Sequence, residues 1–106
     1  MGEVLFFSQR IGPGSQAKQE GLIPLSGAVK QLAIGFPSGG GLGVRLLVFP
    51  GDRIIFPYKD QSYVDFKGPL SPMAMNALVE KNQKLRVEWN NTLGTASYAP
   101  VIATID

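Results

Sequence analysis

Apolar residues in this chain come in short runs that alternate with polar or small ones, and Gly or Pro separates the runs. From Val4 to Ile11, Val4, Phe6 and Ser8 share one face and Leu5, Phe7 and Gln9 the other. That period of two predicts a strand, largely buried at its start. Gly12-Pro13-Gly14-Ser15 breaks it. Gln16 to Gly21 is polar and reads as a loop or an edge strand. Leu22-Ile23-Pro24-Leu25 follows as an edge or strand-start piece, because Pro24 cannot donate to a ladder. After Ser26-Gly27, Ala28 to Phe36 alternates Leu32, Ile34 and Phe36 against Gln31, Ala33 and Gly35, with the large side chains on one face and the small ones on the other.

Beyond the flexible connection Pro37 to Gly41, Val44 to Phe49 has the most buried-looking pattern, with Val44, Leu46 and Val48 on one face. Pro50-Gly51-Asp52 predicts a type II hairpin turn, Pro50 setting φ at the first central position and Gly51 supplying positive φ at the second. Arg53 to Phe56 is the return strand and Tyr63 to Lys67 a short further one. Residues 71–79 have two readings: a helix opened by Ser71-Pro72, or a strand over Met75 to Val79. The strand is preferred, because Glu80-Lys81-Asn82-Gln83 suits a hairpin loop. Leu85, Val87 and Trp89 alternate with Arg86, Glu88 and Asn90, a half-exposed strand. Asn90 to Gly94 is read as a turn, and Tyr98 to Ile105 as the last strand, with Pro100 placing it near an edge or bulge.

Seven or eight short strands with turns between them predict an all-β fold, a single antiparallel β-sandwich spanning residues 1–106. One domain suits 106 residues. Hydrophobic residues at 44% argue against disorder, and charged residues at only 17% leave neutral or apolar surface exposed, which favours an interface. The segment 1–11 reads as an interacting strand or arm, since sheet edges template pairing.

Candidate chemistry is sparse. The chain has no Cys and no His, and eight acidic residues are spread thinly. Most readily recognised catalytic and metal sites draw on those residue types, so the expectation is a protein without enzymatic activity, cofactor or metal. Ser38-Gly39-Gly40-Gly41-Leu42-Gly43 lacks the Lys-Ser/Thr and the helix that a phosphate loop needs. Asp52, Asp60 and Asp65 match no calcium loop spacing and suit turns. The net charge of +2 comes from scattered Lys and Arg, without a basic patch, which disfavours nucleic acid as a partner. No run approaches a membrane span, and the amino terminus has an acid where a signal peptide has its basic region. The expectation is synthesis in a cytoplasm without a signal peptide. Asn90-Asn91-Thr92 matches a glycosylation sequon and is read as a turn.

The candidate partner or ligand contacts are Phe6, Phe7, Tyr58, Tyr63 and Trp89. Tyr and Trp could stack on a sugar or a protein partner, although Trp89 shares its face with Leu85 and Val87 and reads first as core. The stretch Ile23-Pro24-Leu25-Ser26-Gly27-Ala28-Val29-Lys30, then Gly35-Phe36-Pro37 with its Gly-rich loop, then Asn82 through Leu85 to Asn91, resembles small jelly-roll-like β-sandwich proteins of phage and archaeal-virus virions. The likeness is one of strand order and turn placement over residues 22–105. It implies a capsid-decoration or fibre role, commonly as a symmetric homo-oligomer or on a capsid protein partner, and brings no catalytic residues. The rival expectation is a carbohydrate-binding module of similar fold, with a glycan as ligand.

Overall fold

The computed structural model describes residues 2–56, Tyr63, Gly68 and 70–106. They form eight strands: β1 (Glu3–Phe7), β2 (Gln16–Leu22), β3 (Gly27–Ile34), β4 (Leu42–Phe49), β5 (Arg53–Phe56), β6 (Leu70–Val79), β7 (Lys84–Asn91) and β8 (Val101–Ile105). Two four-stranded sheets result, ordered β1-β8-β3-β6 and β2-β7-β4-β5. Every strand pair is antiparallel. The pairs β4·β5, β3·β6, β2·β7 and β1·β8 are nested, as in one long hairpin folded over itself. That is jelly-roll order; the two antiparallel sheets are the sandwich that the strand and turn pattern predicts.

Alternation sets which side chains are inside. In β7, Leu85, Val87 and Trp89 are buried while Lys84, Arg86, Glu88 and Asn90 line the outer side. In β3, Leu32 and Ile34 are buried and Gln31 and Ala33 are not. Beyond the strand, Phe36 is buried and Gly35 exposed. Val44, Leu46 and Val48 of β4 complete the centre, joined by Phe7, Val29, Val101, Ala103 and Ile105 of the facing sheet. Burying each large side chain of this kind is worth roughly 1.5–3 kcal/mol. Trp89 could sit fully inside because its indole N–H donates to the Ala99 carbonyl at 2.8 Å.

Several boundaries differ from the sequence reading. The strand expected over 4–11 is β1 at 3–7, exposed at its start with only Phe7 fully buried, because it is an edge strand; after it only Ile11 rejoins a ladder, bridging Ser97. The polar segment 16–21 is an edge strand, and Leu22 ends it. Ile23 and its successors link the sheets instead of forming a strand, with the Ile23 N–H donating to Gln83 O and the Ile23 carbonyl accepting from Asn82 N. Residues 70–79 form one strand and no helix, so the preferred strand over Met75 to Val79 is present and extends back to Leu70. A helix there would have left the edge of β3 unpaired; β6 pairs with it from Gly27 to Ile34. In the β4–β5 turn Gly51 has the positive φ expected of it, and Asp52 is left-handed as well, which a type II turn centred on Pro50 and Gly51 does not require. The last strand starts at Val101, since Pro100 has no N–H for the ladder. The strand expected at 63–67 lies outside the described residues apart from Tyr63.

Asn91, expected in a turn, ends β7 instead and is the one buried polar residue among those described. Its amide nitrogen donates to the carbonyls of Ile11, Gly12 and Thr95, and its side-chain oxygen accepts from Leu93 N–H. One side chain thereby closes the chain ends of two loops. Gly41, at φ +88, lets Leu93 pack against its backbone; a Cβ there would run into the Leu93 side chain.

Candidate functional site

The two outer faces of the sandwich differ in chemistry. On the four strands of the β1-β8-β3-β6 sheet, Glu3 and Lys30 are the charged residues. Lys30 lies at the bulge in β3 and donates to Asn76 Oδ1 at 2.9 Å. Outward-facing positions run in rows set by register: Phe6 beside Ile102 beside Ala33, and Val4 beside Thr104 beside Gln31. Phe6 is 61% exposed, Val4 60% and Ile102 41%, so the β1 end of this face is open apolar surface. Leu78 is exposed on β6 at the other end.

The four edge strands are also unlike. β6 carries Pro72, β2 carries outward Lys18 and Glu20, and β5 is only four residues long. Those are devices that discourage strand addition. β1, with the sequence Glu-Val-Leu-Phe-Phe, has neither Pro nor Lys.

The outer face of the β2-β7-β4-β5 sheet is a lattice of opposite charges. Register aligns Lys18, Glu88 and Arg45 in one row and Glu20, Arg86 and Leu47 in the next. Arg86 contacts Glu20 at 2.7 Å and reaches Glu88 at 3.7 Å and Asp52 at 4.0 Å, with its guanidinium 4.8 Å from the centre of the Phe49 ring. The hydrogen bond from Arg86 holds the Glu20 carboxyl below its ordinary value, and the charges of Arg86, Lys84 and Lys18 act in the same direction. Reciprocally, the bond to Glu20 raises Arg86.

Within this lattice lies a groove of about 340 Å³ lined by Gln16, Ala17, Lys18, Arg45, Tyr63 and Glu88. Arg45 Nε donates to Glu88 Oε1 at 2.5 Å, and its guanidinium lies 4.8 Å from the Tyr63 ring centre. Burial pushes the Tyr63 hydroxyl above its ordinary value, against the pull of the Arg45 charge.

Of the sequence-named contacts, Phe6 is exposed on the neutral face and Tyr63 is half-buried in the groove. Phe7 and Trp89 are core residues, 1% and 0% exposed, because their alternation parity points them between the sheets. Tyr58 lies outside the described residues. Tyr98 is exposed. An aromatic platform built from Tyr63 and Trp89 together does not form, since Trp89 is interior. Arg45, Glu88 and Lys18 were not singled out from sequence. A signal for them exists: Arg45 is the lone charge in the otherwise apolar run Leu42–Phe49. Among the described residues no group of three or more acidic residues, His or Cys could hold a metal, and no helix is long and apolar enough to cross a membrane.

No protein-family profile matches the chain, and no curated protein sequence matches it. Solved structures do. A mitogen derived from Yersinia pseudotuberculosis, YPM, is similar with a TM-score of 0.60 at 13% identity, over 100% of this chain and 88% of that one. FlhE is similar at a TM-score of 0.49 and 18% identity, over 98% of this chain and 96% of its own. At such identities the likeness to YPM concerns the fold alone.

Proposed function

We propose that this chain is a non-enzymatic structural module that associates with copies of itself through the β1 edge and the neutral face beside it. The observation that carries the reading is the contiguous exposure of Val4, Phe6 and Ile102 at an edge strand that has neither Pro nor Lys and whose one charge, Glu3, stands at its start. A two-fold axis at Leu5 would align two β1 strands antiparallel. Val4 of one copy would then stand opposite Phe6 of the other, extending the sheet across the dimer with apolar cross-strand pairs on its outer face. A five-residue edge spans only about 17 Å. Association through it alone falls below the ~800 Å² per partner of a standard stable interface. The assembly is therefore concentration-dependent in solution and firm only where many contacts act together, as on a larger lattice. The virion-surface role implied by the sequence resemblance is one setting of that kind.

Light scattering coupled to size exclusion tests the reading. The weight-average mass of the wild-type protein should rise above 11.4 kDa as concentration increases. Phe6→Lys, at an exposed position, should hold it at the monomer value without loss of folding. A wild-type mass fixed at 11.4 kDa across the range would argue against self-association.

The carbohydrate-binding reading in its aromatic-platform form loses its main support, because Trp89 is buried. What remains on the charged face is the groove at Arg45, whose chemistry is different.

A further inference from the structure

Arg45 is held in place from two sides, by an acid and by a ring. Its Nε is committed to Glu88 Oε1 and one face of its guanidinium to the Tyr63 ring. Glu88 is the one hydrogen-bond and ion-pair partner of the Arg45 guanidinium among the described residues. Rotamer freedom has thus been removed before any ligand arrives, which is the costly part of recruiting a long side chain. Beside it in the same row, the Lys18 ammonium has no ion-pair partner among the described residues, although its strand neighbour is Glu88. Glu88 is already answered twice, by Arg45 at Oε1 and by Arg86 at 3.7 Å from Oε2. Among the described lining residues Lys18 and Arg45 stand against Glu88 alone, which leaves one net positive charge, and Arg86 shares in answering Glu88 from outside the groove.

We infer that the groove formed by Gln16, Ala17, Lys18, Arg45, Tyr63 and Glu88 is a binding site for the oxyanion of a small ligand, a carboxylate or phosphate, held by the Arg45 terminal nitrogens and Lys18 Nζ. A planar guanidinium matches such an anion bidentately, and the ammonium adds a point charge. Gln16 adds an amide to the lining, and Tyr63 a ring against which the body of the ligand can rest. The volume, near the lower end of the 300–1,000 Å³ common for small-molecule pockets, suits a single ring or a short chain. Two sources share this chemistry: an acidic sugar and a phosphate group.

Titration of ¹⁵N-labelled protein separates them. Sodium glucuronate and inorganic phosphate are added in parallel, with glucose and sodium chloride at matched ionic strength as references. Saturable shifts confined to the amides around residues 16–18, 45 and 88 with either oxyanion, and none with glucose or chloride, are expected. Tighter binding of glucuronate identifies the sugar source and tighter binding of phosphate the other. Arg45→Lys keeps the charge but loses the fork and should weaken binding about tenfold or more. The exposed Lys18→Met should weaken it while leaving the spectrum otherwise folded. Lys81→Met, at the far β6–β7 turn, should leave it unchanged. Absence of saturable shifts with both oxyanions, equal shifts with chloride, or binding unaffected by both Arg45→Lys and Lys18→Met would overturn the assignment.

Discussion

Asn91 shows how much a single side chain can hold in a small sandwich. Its carboxamide makes four hydrogen bonds to backbone groups of residues 11, 12, 93 and 95 and is buried. In Asn91→Ala those backbone groups lose their partner in a site water reaches poorly, and each orphaned group carries a desolvation cost. We expect a loss of about 2–4 kcal/mol in denaturant unfolding, larger than for a typical surface change. A loss under about 1 kcal/mol would mean that the two loops are held by other contacts. Nothing in the string Asn90-Asn91-Thr92 separates this role from an ordinary turn. Asn is a common turn former, and only the tertiary approach of residues 11–12 turns it into a hub.

At the scale of elements, alternation was a sufficient guide wherever one face of a strand is apolar. Leu32, Ile34 and Phe36, Val44, Leu46 and Val48, and Leu85, Val87 and Trp89 all point inward as their parity requires. It failed at ends, because what stops β1 at Phe7 or delays β8 to Val101 is the partner strand's register and the missing N–H of Pro100. The groove was poorly legible for a related reason. Lys18, Arg45 and Glu88 come from three strands, and only the β2-β7-β4 register puts them in one row.

The neighbouring row has a consequence for pH. The Glu20 carboxyl is held below its ordinary value of 4.5, chiefly by the hydrogen bond from Arg86. A depressed carboxylate contributes stability that is fully present above the unfolded value and is lost as pH falls through the folded one. Glu20→Gln removes that contribution. Urea midpoints of the wild type and the variant should therefore differ most near neutrality and converge as pH falls from about 6 to about 3. A constant difference across that range would show that the Arg86 bond does not favour the charged carboxylate.

For the whole molecule, the division of labour between the two outer faces is the central point. One sheet spends its outer positions on a charge lattice centred on Arg86 and Glu88, and the other leaves Val4, Phe6 and Ile102 open beside an edge without Pro or Lys. A low overall charge hinted at an interface, but composition has no direction; the sheet order β1-β8-β3-β6 is what gathers the neutral strands on one side. Hydrogen exchange over the β1 amides, Glu3 to Phe7, read as a function of protein concentration, tests this most directly. In a monomer, half of the amides of an edge strand face solvent and exchange freely. Self-pairing through β1 predicts protection there that grows with concentration and disappears in Phe6→Lys, with β2 and β5 unaffected. Exchange of residues 3–7 that is independent of concentration would contradict it.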